Sequence, residues 1–334
     1  MERTWVRRPL TTMGIMSLAL VLLAVSPIWI VVAAVVDLVC RRWRLPLLRL
    51  LCFAFCWAWL ETLGLLGAGI VTLIGRGRNV GAAYRLQEWW CRGIVRSLSL
   101  CMGVRFEVEG AEHVGTGPLV ALSRHVSLAD AVMSSWIMGS LLSLRPRFVL
   151  KKELTLDPCL DIIGHRLPNY FIDRTSPDIA SELVGIEQMA RDLGERDVAV
   201  IFPEGSRSNE TKRSRALEGL ASRSPQRFER LKNLQHLSPP KPAGASALLN
   251  AVPNAKVITM WHSGFDGMDT FKGIIRNVGA RAVRVHVAIT QHDRASIPTG
   301  ESFVAWLDEQ WVKMDAAVHA RLTTVRHAKL GEMK

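Results

Sequence analysis

The sequence predicts an α/β protein in which a single mixed-sheet domain is preceded by N-terminal membrane helices. Two observations support this fold class. Residues 9–36 contain no charged side chain, and such a stretch is long enough to cross the roughly 30 Å hydrocarbon core of a bilayer. After Gly75, short apolar runs alternate with longer amphipathic segments. That order is typical of the strands and helices of an α/β domain.

Residues 1–75 are expected to anchor the chain, with a transmembrane helix in residues 12–36 and a second apolar segment in residues 45–74. A cleaved signal peptide is the competing interpretation of the first segment, but the uncharged run is longer than a usual signal core. Arginines occur before, between and after the two segments, so the positive-inside rule does not choose an orientation. We expect one full span and one partly inserted or re-entrant segment.

Residues 76–334 are expected to form the α/β domain. Strands are predicted at residues 105–109, 119–122, 147–151, 198–202, 256–260 and 283–289, where short runs are rich in apolar and β-branched side chains. Helices are predicted at residues 82–99, 128–140, 177–193, 243–251 and 303–319, where apolar positions recur at helical spacing. The basic residues of segment 208–238 predict a helical insertion in this domain.

The net charge of the chain indicates which classes of partner it could bind. The formal net charge of +12 is compatible with nucleic acid or with anionic lipid. The apolar N-terminal region favours membrane lipids, and nucleic acid is not expected. The basic insertion either forms a solvated face or contacts anionic lipid or an acidic acyl donor. Six cysteines without paired ligand spacing predict reduced structural thiols, and no metal site is predicted.

His125 and Asp130 form the first candidate site. His125 follows the apolar run of residues 118–122, and Asp130 comes five positions later. An imidazole can take a proton from an alcohol near neutral pH if a carboxylate fixes its tautomer and stabilises the imidazolium. The pair is therefore a candidate general base with its orienting carboxylate, although this spacing also arises by chance in many chains.

Two further blocks carry arginine. In the sequence Phe-Pro-Glu-Gly-Ser-Arg at residues 202–207, Gly205 permits close backbone approach, and the guanidinium of Arg207 matches phosphate oxygens. Glu204 would bond a substrate hydroxyl or hold an arginine. In Asn-Tyr-Phe-Ile-Asp-Arg at residues 169–174, Arg174 could join Arg207 on one phosphate. Taken singly, each block also fits an ordinary surface turn or ion pair.

Together and in this order, the three blocks resemble the glycerolipid acyltransferase superfamily, which includes the lysophosphatidate acyltransferases. That family has a His-x4-Asp block, a Phe-Ile-Asp-Arg-like block and a Phe-Pro-Glu-Gly-Thr-Arg-like block, and the resemblance covers roughly residues 80–290. Ser206 replaces the usual threonine and keeps the hydroxyl. Arg124 stands where many members have asparagine, which leaves the acceptor open.

The resemblance implies acyl transfer from acyl-CoA or acyl carrier protein, as co-substrate and without a cofactor, to 1-acylglycerol 3-phosphate, giving phosphatidate. It implies His125 as general base and Asp130 as its orienter, and it places the acceptor on Arg174, Glu204, Gly205, Ser206 and Arg207. Backbone amides near His125 are candidate donors to the thioester oxygen.

The resemblance also implies an inner, cytoplasmic membrane with the catalytic domain facing the cytoplasm. Three other acceptors stay open: glycerol 3-phosphate, another lysophospholipid or an amino-acid lipid. A non-enzymatic membrane protein that binds anionic lipid is the alternative of a different class.

Overall fold

The computed structural model describes residues 4–268, 270–280 and 282–332; the predicted boundaries at residues 1 and 334 lie outside them. The helices are α1 (Thr4–Ala24), α2 (Ser26–Val39), α3 (Pro46–Leu73), α4 (Val80–Met102), α5 (Asp130–Trp136), α6 (Pro158–Ile162), α7 (Ile179–Ala190), α8 (Glu210–Arg223), α9 (Pro225–Leu231), α10 (Pro242–Ala251), α11 (Phe271–Ala280) and α12 (Glu301–Glu332). The strands are β1 (Arg105–Glu109), β2 (Leu119–Ser123), β3 (Arg145–Lys151), β4 (Tyr170–Ile172), β5 (Asp197–Ile201), β6 (Lys256–Ser263) and β7 (Arg284–His292).

The chain folds into two compact units built from interleaved segments. Unit 1 contains Met1–Arg105, Ala131–Pro177 and Lys272–Val283, and unit 2 contains Phe106–Asp130, Asp178–Phe271 and Arg284–Lys334. The division predicted between residues 75 and 76 stays a prediction. The predicted fold class is confirmed, since helices and a mixed sheet alternate along the chain.

The sheet of unit 2 has the strand order β1-β7-β6-β2-β5. Strand β2 is parallel to both β5 and β6, with Leu122 opposite Ile201 and Ser123 opposite Met260. Strand β7 is antiparallel to β6. Every residue of β2 is buried, as expected for the continuous apolar run of a central parallel strand. Because parallel strands end at the same edge, the segments that follow β2, β5 and β6 are brought together.

Unit 1 combines the N-terminal helices with the parallel strands β3 and β4. Helix α4 begins at its cap Asn79, whose side chain accepts the Ala82 N–H, and ends at Gly103, whose φ of 65° suits glycine. The carboxylate of Asp37 accepts the N–H groups of Leu47 and Leu48 at 2.8 and 3.1 Å. This contact caps α3 with a side chain from the end of α2.

The structure departs from the predicted elements at several places, among them helix α6, which was not predicted. Residues 12–36, predicted as one helix, divide at Val25 into α1 and α2, because Pro27 has no N–H for the ladder and crowds the preceding turn. Strand β4 was not predicted, since three residues show no usable periodicity. Helix α11 was not predicted either.

Helices α1 and α3 are each long and apolar enough to cross a membrane. Large apolar side chains on α1 and α2 are exposed, including Leu10, Met13, Ile28, Val31 and Val39. A contiguous apolar surface of this kind indicates a lipid or protein interface. The apolar helices therefore support a membrane location.

Candidate active site

His125 lies just beyond the carboxyl end of β2. The N–H of Arg124 donates to the carbonyl of Met260 at 2.9 Å, which continues the pairing with β6. The carbonyl of His125 accepts the Ser208 N–H at 2.7 Å. The loop after β5 thus meets the loop after β2, at the edge where ligands bind in open α/β sheets.

The imidazole of His125 and the carboxylate of Asp130 are in direct contact, with Nδ1 2.9 Å from Oδ2. Asp130 is fully buried, whereas the His125 side chain is 21% exposed. Because Nδ1 faces the carboxylate, Nε2 is the nitrogen that can take a proton from a substrate. The ring packs on Phe202 with a centroid distance of 4.6 Å, which restricts its rotation. The predicted pair is therefore brought together.

The carboxylate of Asp130 accepts additional hydrogen bonds. The Val126 and Ser127 N–H groups donate to Oδ2 at 2.6 and 2.8 Å, and the Ser127 hydroxyl donates to Oδ1. Burial favours a raised pKa for Asp130, but its interactions with His262 and His125 outweigh burial and hold the pKa far below the usual range. Asp130 is ionised at neutral pH and can stabilise an imidazolium at His125.

Glu204 lies under the backbone of the same site, with an exposed fraction of 4%. Its Oε1 accepts the His125 N–H at 2.7 Å, and its Oε2 accepts the Ser238 N–H at 2.9 Å. Burial raises the pKa of Glu204 to about 7, against the lowering effect of the two N–H groups. The described contacts of Glu204 hold the base in place, and a contact with an acceptor hydroxyl stays a prediction.

These contacts correct one expectation from the sequence. The N–H of His125 donates to Glu204, and the N–H groups of Val126 and Ser127 donate to Asp130. These three amides are therefore committed to carboxylates and do not point to a thioester oxygen.

Gly205, Ser206 and Arg207 form the turn after β5, and all three are partly exposed. Gly205 has φ 73°, and its N–H donates to the Phe202 carbonyl at 2.9 Å. A Cβ at Gly205 would lie 3.2 Å from Nζ of Lys241, so the lysine side chain covers the turn. Lys241 was not identified from the sequence, because its adjacency arises from a bond between its N–H and the Pro203 carbonyl, 2.8 Å long.

Arg174 lies in unit 1, after β4, and its side chain is exposed. Its neighbour Asp173 accepts hydrogen bonds from Lys152 at 3.1 Å and from the Thr175 N–H at 3.0 Å. The hydroxyl of Thr175, the largest cause, and the ammonium of Lys152 lower the pKa of Asp173 to about 2. Asp173 thus orders its own loop, and phosphate binding by Arg174 stays a prediction.

Arg124 and His262 are site residues whose roles the sequence did not reveal. Arg124 is 1% exposed, and its guanidinium donates to the Asp266 carboxylate at 2.6 Å and to the His262 carbonyl. His262 is fully buried, with Nε2 3.3 Å from Oδ1 of Asp130. The only sequence signal was position, since both residues lie at the end of an apolar run.

The predicted basic insertion forms α8 and α9, and α12 holds it in place. Arg227 and Arg230 both donate to the buried carboxylate of Asp308, at 2.6 and 2.9 Å for the closest atoms of each. Asp315 accepts the three consecutive N–H groups of residues 235–237 at 2.7 to 2.9 Å. Part of the basic charge therefore serves internal pairing, while Lys212 and Arg215 on α8 are exposed.

The spacing of the side chains that could hold a metal ion is relevant to cofactor chemistry. Among the described residues, no group of three or more His, Cys, Asp or Glu side chains is arranged to hold a metal ion. The prediction that the reaction needs no cofactor stays a prediction.

Known proteins resemble this chain in sequence and in structure. The Acyltransferase family model matches residues 105–262. A 1-acyl-sn-glycerol-3-phosphate acyltransferase from Pseudomonas aeruginosa is 31% identical over 131 residues, which cover 38% of this chain and 47% of that protein. The match thus spans about half of that relative.

A solved structure, the 1-acyl-sn-glycerophosphate (LPA) acyltransferase PlsC from Thermotoga maritima, superposes with a TM-score of 0.49 at 14% identity. The superposition covers 81% of this chain and 96% of that one. The family match includes the His125–Asp130 pair and the turn at Glu204. Residues 105–262 of this chain are therefore similar in sequence to the acyltransferase superfamily.

Proposed function

We propose that this chain transfers an acyl group from a thioester donor, acyl-CoA or acyl carrier protein, to the free hydroxyl of 1-acylglycerol 3-phosphate, giving phosphatidate. One observation carries the proposal: a partly exposed imidazole, His125, is held by a buried and ionised carboxylate, Asp130, at 2.9 Å. Such a pair is what a hydroxyl nucleophile requires. The name of the Pseudomonas aeruginosa relative supports the same acceptor.

In this proposal, Nε2 of His125 removes the proton of the acceptor hydroxyl as its oxygen attacks the thioester carbonyl carbon. Asp130 stabilises the imidazolium at Nδ1. The tetrahedral intermediate then collapses, the carbon–sulfur bond breaks, and the proton on His125 passes to the departing thiolate. An ester and a free thiol result, and no covalent enzyme intermediate forms.

The acceptor phosphate requires cations, and Arg207 with the turn at Gly205 and Ser206 is the proposed element in unit 2. Arg207 offers a planar fork for two phosphate oxygens, and the missing Cβ of Gly205 leaves room for the Lys241 side chain over the turn. Arg174, in unit 1, is proposed as a second phosphate ligand on the basis of the family's second block. Holding the hydroxyl beside the thioester makes the reaction effectively intramolecular, which lowers its barrier by several kcal/mol.

The membrane is the proposed source of the acceptor. Helices α1 and α3 are apolar enough to cross it, and the exposed apolar side chains of α1 and α2 fit a lipid environment. We propose that the catalytic domain faces the cytoplasm, because acyl-CoA and acyl carrier protein are cytoplasmic thioesters.

The test offers the purified full chain a panel of acceptors with each donor and reads the products by mass. The acceptors are 1-acylglycerol 3-phosphate, glycerol 3-phosphate, lysophosphatidylcholine and a lyso amino-acid lipid. We expect phosphatidate from the first, and His125→Ala should abolish it while keeping the wild-type circular dichroism spectrum. If product forms only from another acceptor, that acceptor replaces 1-acylglycerol 3-phosphate as the proposed substrate. Binding to anionic vesicles without product from any acceptor would favour the non-enzymatic alternative.

A further inference from the structure

His262 lies beside the proposed catalytic pair because of the register between β2 and β6. Ser123 is opposite Met260, so the second residue beyond each of these positions, His125 and His262, reaches the same level of the sheet. The two histidines are far apart in sequence, and no single motif contains both of them. The parallel pairing alone brings them to the two sides of Asp130.

The His262 imidazole is buried completely and is directed at a carboxylate. Its Nε2 lies 3.3 Å from Oδ1 of Asp130, the oxygen opposite to the one that contacts His125. Neither ring nitrogen has a hydrogen bond of normal geometry within the described part of the chain. An unpaired imidazole in a protein interior is costly, whereas a small rotation of this ring would align Nε2 with Oδ1. Hydrogen bonds of catalytic groups are often loose without substrate.

The backbone around His262 is fixed independently of its ring. The guanidinium of Arg124 donates to the His262 carbonyl and to Asp266. Asp266 in turn accepts the Gly264 N–H at 3.0 Å, and the Phe265 ring meets the imidazole edge-on at 5.9 Å. Arg124 and Asp266 therefore fix the backbone at His262, and Phe265 contacts the ring itself.

We propose that His262 is a positioning residue: its Nε2–H bonds Oδ1 of Asp130 and holds the carboxylate so that Oδ2 supports His125. The inference rests on the proposed function, because it concerns the same base. His262 does not touch the substrate, since both it and Asp130 are inaccessible. It instead sets how strongly Asp130 supports the imidazolium.

Several charged or titratable groups surround this contact. Asp130 and His125 lie on the β2 side, Arg124 and Asp266 lie behind His262, and Glu204 faces from the turn after β5. Loss of the N–H donor from His262 leaves Asp130 with more charge to share with Nδ1 of His125. The imidazolium then becomes easier to form, so the acid limb of the pH profile moves to higher pH.

The test compares His262→Phe, which removes the donor, with His262→Gln, which restores an N–H. We expect His262→Phe to lower kcat about tenfold or more, part of the ~10²–10⁴-fold that a positioned base contributes, with KM for the acceptor within about twofold. The acid limb of the pH profile of kcat/KM should move to higher pH by about half a unit. His262→Gln should recover most of kcat.

The control is His292→Phe on β7, where His292 pairs with Val257 near the start of β6 and its Nε2 lies 3.0 Å from the Thr259 hydroxyl. This variant should keep both kcat and the acid limb. A His262→Phe enzyme with the wild-type acid limb, or a His262→Gln enzyme as impaired as His262→Phe, overturns the proposal.

A measurement on the wild-type chain keeps the proposal testable if a variant does not fold. Nitrogen NMR of histidine-labelled protein should show the proton of neutral His262 on Nε2, and a proton on Nδ1 overturns the contact. This readout needs no turnover. An inactive wild-type chain with the Nε2–H tautomer would therefore refute the proposed function and leave the contact standing.

Discussion

The carboxylate of Glu204 accepts the backbone N–H of His125 at 2.7 Å, so the third sequence block holds the proposed catalytic residue of the first block. This relationship is a consequence of the sheet, because β2 and β5 are adjacent and parallel. A residue that the sequence assigns to the substrate therefore has a structural task in the site. Substitutions at Glu204 should then affect folding stability as well as activity.

Replacement of Glu204 by Gln should change the pH dependence of stability. Burial raises the pKa of Glu204 to about 7 in the folded chain, against about 4.3 when unfolded. The folded state therefore binds the extra proton between these values, and the wild type loses stability as pH rises through this window. The full effect is on the order of 3 kcal/mol. Denaturant unfolding of Glu204→Gln should lack this loss.

The control for Glu204 is Glu218→Gln on the exposed side of α8, which should follow the wild-type curve. Parallel curves for wild type and Glu204→Gln between pH 4.5 and 7 would contradict the assignment. The two N–H groups donate to different oxygens of Glu204. Gln replaces one of these acceptors with an NH2 donor, so kcat should also fall in this variant.

Asp130→Asn should remove the support of the base. The amide group presents a donor where up to three donors now point, so we expect kcat to fall by about 10³-fold or more. Stability should respond to pH as well. The pKa of Asp130 is held below its unfolded value, so its contribution is present above about pH 4 and is lost as pH falls towards the folded pKa.

The difference in unfolding free energy between wild type and Asp130→Asn should therefore shrink below about pH 4. Asp293→Asn, at an exposed position, serves as the control and should show no such change. Full activity of Asp130→Asn would rule out the proposed base and its orienter.

The link between the basic insertion and α12 should be a major source of stability. Asp308 is buried and pairs with Arg227 and Arg230, so Asp308→Asn leaves two cations without their carboxylate. We expect a loss of about 3 kcal/mol in the free energy of unfolding, measured by denaturant titration.

The neighbouring Glu309 provides the matched control for Asp308, because its pair with Lys313 at 2.7 Å is exposed. Glu309→Gln should cost no more than about 0.5 kcal/mol. Equal losses for the two variants would show that burial does not govern the strength of these ion pairs.

The N-terminal end of α1 should depend on Asp161 for its position. Arg7 and Arg8 both pair with this buried carboxylate on α6, at 3.3 and 3.0 Å. Asp161→Asn should weaken both pairs and speed cleavage by trypsin after Arg7, observed by mass spectrometry. Glu153→Gln, which alters an exposed pair with Lys151, should leave the rate unchanged. The same rate for Asp161→Asn would mean that the arginines are held by other contacts.

Much of the fold could be predicted because its signals are local. The strands β2, β5 and β6 are short apolar runs, and such runs can be recognised from a short segment of sequence alone. Strand β4 was not predicted because three partly buried residues are too few to show an alternating pattern of hydrophobicity. The break at Val25 escaped because hydropathy alone does not weigh the missing N–H of Pro27.

The site was predicted in part for a related reason. His125 and Asp130 are close in sequence, and the turn between them, at residues 126–129, brings the carboxylate back to the imidazole. Arg124 and Glu204 were noted in the sequence, but the groups that they contact were not predicted. Their partners, Asp266 and the N–H of His125, come from other strand ends, so residue type alone could not identify them.

The α/β class, the apolar N-terminal helices and the three ordered blocks could be predicted from the sequence, because each depends on residues within one short segment. The groups that meet behind His125 are set by the arrangement of the strands. Glu204, Arg124 and His262 converge there because β2 lies between β5 and β6, in parallel and in a fixed register. Strand order and register depend on packing of the whole sheet, and no short segment of the chain encodes them.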